Sequence, residues 1–183
     1  MASPDYLLRI ETALAQLGIA PALLAARGLE ICDEAAELEN IGADALGRGQ
    51  FLAPDAAAAW TRMREAALTD DIILLPVSGF RSFDRQAGIL QRKLDAGQSC
   101  EQILEVSAPP GYSEHHTGHA LDIGTPDSEA LDESFGDSDA FRWLAANAEQ
   151  FGFRMSYPRG NAQGYAYEPW HWRWHPHETK RPA

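Results

Sequence analysis

The placement of the histidines is the feature that most constrains how this chain can fold. All six follow residue 114 and form two clusters: His115, His116 and His119, then His171, His175 and His177. A carboxylate accompanies each cluster, Asp122 in the first and Glu168 in the second. If the two clusters act together, the fold has to bring segments that are distant in the sequence into contact.

The first cluster is predicted to contain a bend. His115 and His119 are four residues apart, as in a helical zinc motif, but Gly118 lies between them and residues 109–111 are Pro-Pro-Gly, so a helix is doubtful. His115 and Asp122 are seven apart, a spacing that places them on opposite faces of a regular strand. They can converge only if the chain bends, and Gly118 permits a bend through positive φ or a bulge.

The second cluster has the pattern of a strand. Pro169 disfavours the helical region for Glu168, which is therefore expected to be extended. Beyond Pro169, alternation divides the side chains between two faces. The face expected in the core holds Trp170, Trp172 and Trp174. The opposite face holds His171, Arg173 and His175. If that face meets the first cluster, two imidazoles and one carboxylate come together.

Such a set suits a catalytic zinc ion, which has three protein ligands and an open fourth position. Glu168, near this set but outside it, suits a general base for the water. A structural zinc site is a rival, but such sites are usually closed and rich in cysteine. Cys32 and Cys100 are far from both clusters and match no zinc or redox spacing. We expect two unpaired thiols, with a single disulfide as the alternative.

Three segments resemble the VanY-type D-alanyl-D-alanine carboxypeptidase family, within the LAS peptidases. They are SGFRSFDRQ at 78–86, SEHHTGHALDIG at 113–124 and YEPWHWRW at 167–174. The second fits the motif S-x-H-x-x-G-x-A-x-D at every fixed position. The third fits E-x-W-H-x-R-Y except that Trp174 replaces the tyrosine. The resemblance covers residues 54–175, and the two metal motifs in this order are highly specific.

The resemblance implies one zinc ion per chain, with three ligands: His115, Asp122 and His171. The resemblance also implies that Glu168 is the general base for the zinc-bound water. It implies that Arg81 binds either the scissile carbonyl oxygen or a substrate carboxylate. Gln86 and Ser113 are implied to contact the peptide. The remaining histidines are expected to line the site or to be solvated, and Arg173 to hold a carboxylate on the site-facing side of its strand.

The rest of the pattern mixes helices and strands without regular alternation, which favours a single α+β domain. Helices are predicted at residues 4–17, 54–68, 82–95 and 138–151, with 125–137 as a surface loop. Strands are predicted at residues 72–77, 120–124, 153–157 and 165–175. The resemblance implies a LAS/hedgehog-like peptidase fold, with a small, mostly antiparallel sheet flanked by helices. We expect residues 1–53 to be a helical and loop segment packed on a zinc peptidase core of residues 54–183.

The charge and hydropathy of the chain exclude some function classes. The net charge is −12, and an acidic surface repels phosphate backbones, so nucleic-acid binding is not expected. No apolar run reaches the length of a transmembrane helix. The N-terminal sequence lacks the pattern of a secretory signal, so the cytoplasm is the expected location, or the periplasm or cell envelope if a signal was removed.

Together these features predict a zinc-dependent D-alanyl-D-alanine carboxypeptidase that hydrolyses the terminal peptide bond of peptidoglycan peptides or precursors. The resemblance leaves two related activities open, an LD-carboxypeptidase and an endolysin-type peptidoglycan endopeptidase. It also leaves a non-catalytic zinc-containing binding domain of the same fold, which would have no need for a base beside the metal.

Overall fold

The computed structural model of the chain describes residues 2–126 and 128–176. Within them lie six α-helices: α1 (Pro4–Gln16), α2 (Pro21–Ala26), α3 (Pro54–Thr69), α4 (Phe83–Asp95), α5 (Cys100–Val106) and α6 (Asp139–Asn147). The same residues form six strands: β1 (Glu39–Ala43), β2 (Gly49–Leu52), β3 (Leu75–Ser78), β4 (Ala120–Gly124), β5 (Phe153–Met155) and β6 (His171–Trp174). Short 3₁₀ helices lie at Glu114–Thr117, Glu133–Asp137 and Ala148–Phe151.

Serine caps set where three of the helices begin, as the sequence predicts. In each case the serine Oγ accepts a hydrogen bond from the backbone N–H three residues later: Ser3 before α1, Ser82 before α4 and Ser138 before α6. The cap satisfies a backbone donor that the first helical turn leaves free. Because α4 begins at Phe83, Arg81 lies in the short turn between β3 and α4.

Strands β3, β4, β6 and β5 form an antiparallel sheet in that spatial order. Every residue of β4 is buried, and this strand pairs with β3 on one side and β6 on the other. The pairing aligns Asp122 with His171 across β4 and β6, and with Ser78 across β3 and β4. The two central strands therefore bring residues from both histidine clusters to one place.

Two groups of buried apolar side chains support this sheet. One lies between the sheet, α3 and α6, and includes Trp60, Leu121 and Trp172. The other joins α1 to α4 and α5, and includes Leu14 and Leu90. The tryptophan face predicted for β6 therefore does lie against the core, with Trp172 buried and its two tryptophan neighbours partly buried.

Strands β1 and β2 form a separate antiparallel pair that contacts the region of the sheet. Phe80 N donates a hydrogen bond to Phe51 O, and Ala53 N donates one to Gly118 O. These bonds fasten the chain before residue 54 to the turn after β3 and to the first histidine cluster. The division of the chain at residue 53, between an N-terminal segment and a zinc peptidase core, stays a prediction.

Three predicted strands are shorter in the structure, and one of them, predicted at 153–157, is observed at Phe153–Met155. The strand predicted at 72–77 is observed at Leu75–Ser78, because Ile72 N donates to Ala67 O and so still closes the end of α3. The strand predicted at 165–175 is observed only at His171–Trp174. Before it, the side chain of Asn161 bonds both N and O of Tyr165, which holds the chain in a loop instead of a strand.

Two further predictions missed helical segments. Helix α5 follows α4 in a stretch for which no helix was predicted; its signal is a capping box in which Ser99 and Gln102 bond each other's backbone N–H. The predicted surface loop at 125–137 contains the 3₁₀ helix at Glu133–Asp137, which buries Phe135. Here one aromatic side chain in an acidic stretch is enough to fix the segment on the core.

Cys32 and Cys100 are unpaired thiols, as expected.

Across the part of the chain that the structure describes, none of the helices combines the length and apolar character needed to cross a membrane.

The bend predicted in the first histidine cluster is confirmed. The 3₁₀ helix Glu114–Thr117 ends at Gly118, which has φ of +68°, and β4 begins two residues later. A Cβ atom at Gly118 would lie 2.8 Å from Ala53 N. Both the backbone conformation and the close approach of the neighbouring segment therefore require glycine here.

We predict that Gly118→Ala lowers the free energy of unfolding by about 1–3 kcal/mol more than Gly160→Ala does. Gly160 has a similar φ of +71° but nothing within 4 Å of its Cβ position, so it isolates the backbone cost from the clash. Urea unfolding of the two variants measures both values. Equal losses of stability would show that the contact with Ala53 places no constraint on the bend.

Candidate active site

Three buried side chains converge where the two histidine clusters meet. His115 Nε2 lies 3.3 Å from Asp122 Oδ2, and His171 Nδ1 lies 3.0 Å from Asp122 Oδ1. One ligand atom from each of the three lies within 4.8 Å of the other two. Two imidazoles and one carboxylate at this spacing can hold one metal ion and leave a position open.

The second nitrogen of each imidazole is already occupied. His115 Nδ1 donates to Gly79 O at 2.8 Å, and His171 Nε2 lies 2.9 Å from Glu114 Oε2. Since a backbone carbonyl only accepts, His115 carries its proton on Nδ1 and turns the lone pair of Nε2 toward Asp122. This is how partners behind metal-binding histidines fix the ring and its tautomer, so the residues fit a metal ion.

Glu114 was assigned no role from the sequence, although it adjoins His115. Its carboxylate accepts hydrogen bonds from Ser156 Oγ at 2.6 Å and Arg173 Nη1 at 3.0 Å in addition to His171. Burial opposes the charged form of Glu114, but the hydrogen bond with His171 and the positive charge of that ring lower the pKa of Glu114 to about 2. The expectation that Arg173 holds a carboxylate is confirmed, and that carboxylate positions His171.

His171 lies between two carboxylates. Burial alone would lower its pKa, but the hydrogen bonds to Asp122 and Glu114 raise the pKa to about 10. Burial likewise opposes the charge of Asp122, and the protonated imidazole of His171, with Nδ1 at 3.0 Å, holds the pKa of that carboxyl well below its usual range. The donor set therefore binds positive charge strongly, and a metal ion there competes with a proton.

Glu168 lies beside the donor set without being part of it. Its Oε2 atom is 3.9 Å from His171 Nδ1, and its side chain is mostly buried. Burial raises the pKa of Glu168 to about 7, with Asp122 and Glu114 adding to the rise and His171 opposing it. A carboxylate with such a pKa can exchange a proton near neutral pH.

Arg81 is held in one position from several sides. Its Nη1 donates to Gln86 Oε1 at 2.9 Å, and its Nη2 lies 3.3 Å from Ser78 Oγ and 3.8 Å from Asp122 Oδ2. Its backbone carbonyl accepts from His116 Nδ1 at 2.6 Å. The guanidinium, on the turn before α4, is therefore aimed at the donor set.

The other two predicted site residues, Ser113 and Gln86, differ in whether they line the cavity onto which the donor set opens. Ser113 is 3% exposed and lies in the lining of this cavity, so its contact with a peptide stays a prediction. Gln86 is 0% exposed, with its amide shared between Arg81 and Ala108 O at 2.6 Å. In this structure Gln86 acts on the cavity through Arg81, and its direct contact with a peptide stays a prediction.

The remaining histidines have supporting positions. His116 is buried and accepts from Gly111 N while it donates to Arg81 O, so it ties the preceding loop to the arginine. His119 is partly exposed, bonds Asp55 at 3.1 Å and packs against Trp174. His175 is partly exposed, and His177 lies outside the described residues.

The donor set opens on a cavity of about 540 Å³. Glu168 and Arg81 line it as well, so a base, a cation and the candidate metal ligands all face the same space. Aromatic rings form part of the wall: Tyr157, Tyr165, Tyr167 and Trp170. A cavity of this size accommodates a short peptide segment.

The sequence profile of VanY, described as D-alanyl-D-alanine carboxypeptidase, matches residues 49–177. The chain belongs to this family. The VanY-family chain is 36% identical to the putative carboxypeptidase YodJ of Bacillus subtilis, over 68% of this chain and 46% of YodJ. It is 32% identical to the bifunctional D-Ala-D-Ala dipeptidase and D-Ala-D-Ala carboxypeptidase VanXYC of Enterococcus gallinarum, over 68% of this chain and 67% of that protein. It spans about half the length of YodJ.

Solved structures of related peptidases share the fold. The LdcB LD-carboxypeptidase matches with a TM-score of 0.64 and 34% identity, over 78% of this chain and 64% of that one. VanYB in complex with D-alanine-D-alanine matches with a TM-score of 0.62 and 26% identity, over 80% and 81%. A Zn(II) complex of the D,D-pentapeptidase VanY matches with a TM-score of 0.59 and 27% identity, over 75% and 78%. These matches confirm the expected LAS-type fold.

We predict that Glu114→Gln weakens zinc binding by about 10–100-fold, the usual effect of losing a partner behind a metal ligand. The amide keeps the shape but loses the charge that holds Arg173 and fixes His171. Competition with a chelating dye measures the zinc dissociation constant. The control is Glu149→Gln, an exposed carboxylate that pairs with Arg154 at 2.9 Å. Equal zinc affinity in Glu114→Gln and in the control would show that Glu114 does not support zinc binding.

Proposed function

We propose that the protein is a zinc-dependent carboxypeptidase that removes the terminal D-alanine from peptidoglycan peptides or their precursors. The observation that carries this proposal is the buried set His115, Asp122 and His171, which opens on the same cavity as Glu168 and Arg81. The Zn(II) in the related VanY structure supports zinc as the metal. A pure binding module has no need for a buried carboxylate of raised pKa beside the metal ligands.

His115, Asp122 and His171 would hold the zinc ion, which would act as a Lewis acid toward the scissile carbonyl and would make a water molecule acidic near neutral pH. Glu168 takes the proton of the attacking water, since its carboxylate lies next to the donor set and is mostly buried. The same group then delivers a proton to the leaving amine. Its pKa of about 7 suits both transfers.

Arg81 stabilises the negative charge that develops on the carbonyl oxygen. A guanidinium carries five N–H donors in a rigid fork and stays charged at any working pH. Its two terminal nitrogens are oriented by Gln86 and Ser78, so the fork is in place before the peptide arrives. Donors that need no rearrangement are the most effective in stabilising an oxyanion.

The family and the D-alanine-D-alanine complex of VanYB support a substrate ending in D-Ala-D-Ala. A second candidate is an LD-carboxypeptidase, which removes D-alanine that follows an L-residue. The similarity to LdcB, at 34% identity, favours it. The two activities differ in the configuration of the residue before the scissile bond, and so in the cavity wall that this residue meets.

The deciding experiment incubates zinc-loaded protein with two peptides, one ending in D-Ala-D-Ala and one in L-Lys-D-Ala, and identifies products by mass. Loss of one alanine from the first supports the D,D activity, and loss from the second alone supports the L,D activity. Cleavage of an internal bond would identify an endopeptidase. If zinc-loaded protein cleaved neither peptide, that result would contradict the proposed enzyme and would favour the non-catalytic zinc-containing binding domain.

We predict that Glu168→Gln keeps its zinc but loses about 10²–10⁴-fold in kcat, the usual contribution of a positioned acid–base group. In the parent protein, kcat/KM should fall with decreasing pH as Glu168 becomes protonated, and this fall should be absent from the residual activity of the variant. Zinc content and steady-state kinetics from pH 5 to 9 measure both. Glu133→Gln, which also removes a carboxylate from the cavity wall, is the control. Full activity in Glu168→Gln would show that Glu168 is not the base.

A further inference from the structure

A short stretch of chain before the VanY profile lies against the first histidine cluster. Cys32 N donates a hydrogen bond to Gly111 O, and Ala35 N donates one to His116 O, each at 2.8 Å. The VanY profile begins only at residue 49. The family motifs therefore give this stretch no role, although it borders the candidate site.

Glu34 lies between these two backbone bonds and binds the start of α4. Its Oε1 accepts a hydrogen bond from Phe83 N at 2.7 Å. The first turn of a helix leaves its N–H groups without partners, and the Ser82 side chain satisfies that of Arg85. A carboxylate is also favoured at the positive end of the helix dipole. Glu34 therefore completes the start of α4 from a distant part of the chain.

The other oxygen of Glu34 is held by Arg9 of α1. Arg9 Nη1 donates to Glu34 Oε2 at 3.2 Å, and its Nη2 donates to Asp84 Oδ1 at 2.7 Å. The guanidinium also lies over the ring of Phe83, 4.2 Å from its centre. Both oxygens of Glu34 are thus engaged, so the carboxylate has a fixed direction toward Phe83 N.

The turn that carries Arg81 is held from two sides. On one side, Arg81 N donates to His115 O at 3.1 Å and Arg81 O accepts from His116 Nδ1 at 2.6 Å. On the other side, Glu34 holds the amide of Phe83, two residues later. The ring of Phe83 also stacks on that of His116, with 6.2 Å between their centres. Loss of either side would give the turn freedom to move.

We propose that Glu34 is a positioning residue, which fixes the turn of Arg81 by accepting the hydrogen bond from Phe83. This inference rests on the proposed function, in which the guanidinium of Arg81 meets the oxyanion. Glu34 is not among the described residues that line the cavity, so it acts through the backbone. A small displacement of an oriented donor is enough to lower the rate of the chemical step.

Kinetics of Glu34→Ala test the effect on the reaction. We expect kcat to fall by about 10–100-fold with little change in KM, because the oxyanion exists only in the chemical step. Glu34→Gln keeps an oxygen that can accept from Phe83 N, and it should recover much of kcat. Glu37→Ala removes an exposed carboxylate three positions later and should have the kcat of the parent protein.

Combination with Arg81→Ala separates positioning from a general loss of stability. Once the guanidinium is gone, Glu34→Ala has no oriented donor left to displace, so it should cause no further fall in kcat. Thermal melting and zinc content show whether each variant is folded. An unchanged kcat in folded Glu34→Ala would overturn the proposal, as would an equal fall in kcat with and without Arg81.

Hydrogen exchange examines the same turn without turnover. The Arg81 amide reports on the turn, and the amide of Leu90, within α4, reports on the helix as a whole. In zinc-loaded Glu34→Ala, the Arg81 amide should exchange about 10-fold faster relative to Leu90 than in the parent protein, since the turn opens locally. That result supports the positioning role even if the parent protein cleaves neither peptide. An unchanged ratio would overturn it, even if cleavage of D-Ala-D-Ala peptides has established the enzyme.

Discussion

The antiparallel pairing of β4 with β6 holds the candidate site together, since it sets Asp122 opposite His171. On its other side β4 pairs with β3, whose end leads into Gly79 and Arg81. The carbonyl of Gly79 in turn orients His115, so the third donor depends on the same strand order. A shift of one residue in either pairing would turn Asp122 to the opposite face of the sheet and separate the donors.

The sequence predicts much of this arrangement, because several of its signals are local. Serine caps fix the starts of α1, α4 and α6, and alternation assigns the faces of β6. The bend at Gly118 follows from a spacing that a regular strand cannot satisfy. Pairing the two histidine clusters needs more than spacing, since nothing local determines which strand lies beside β4. The family resemblance supplied that step, together with Arg81.

Part of what the sequence could not predict depends on contacts between distant segments. The role of Glu114 requires His171 and Arg173, which follow it by more than fifty positions and reach it only through the sheet. The loop before β6 resembles a strand in composition, but Asn161 bonds the backbone of Tyr165 and prevents it from pairing. The partners of Glu114 cannot be identified before the fold is known, whereas Asn161 lies only four residues before Tyr165 and is a local signal that the strand prediction missed.

Two cations of the cavity wall, Arg81 and Lys93, differ in how firmly they are held. Arg81 is fixed through its side chain by Gln86 and through its carbonyl by His116, which is in turn fixed by Gly111 N. Such a group is oriented before a ligand arrives, which suits charge that forms and disappears within one reaction step. Lys93 has one hydrogen bond and four rotatable side-chain bonds, so its ammonium can follow a ligand. A rigid guanidinium beside the candidate metal ligands and a more mobile ammonium farther along α4 therefore respond differently to a ligand, since the first is fixed in advance and the second can adjust.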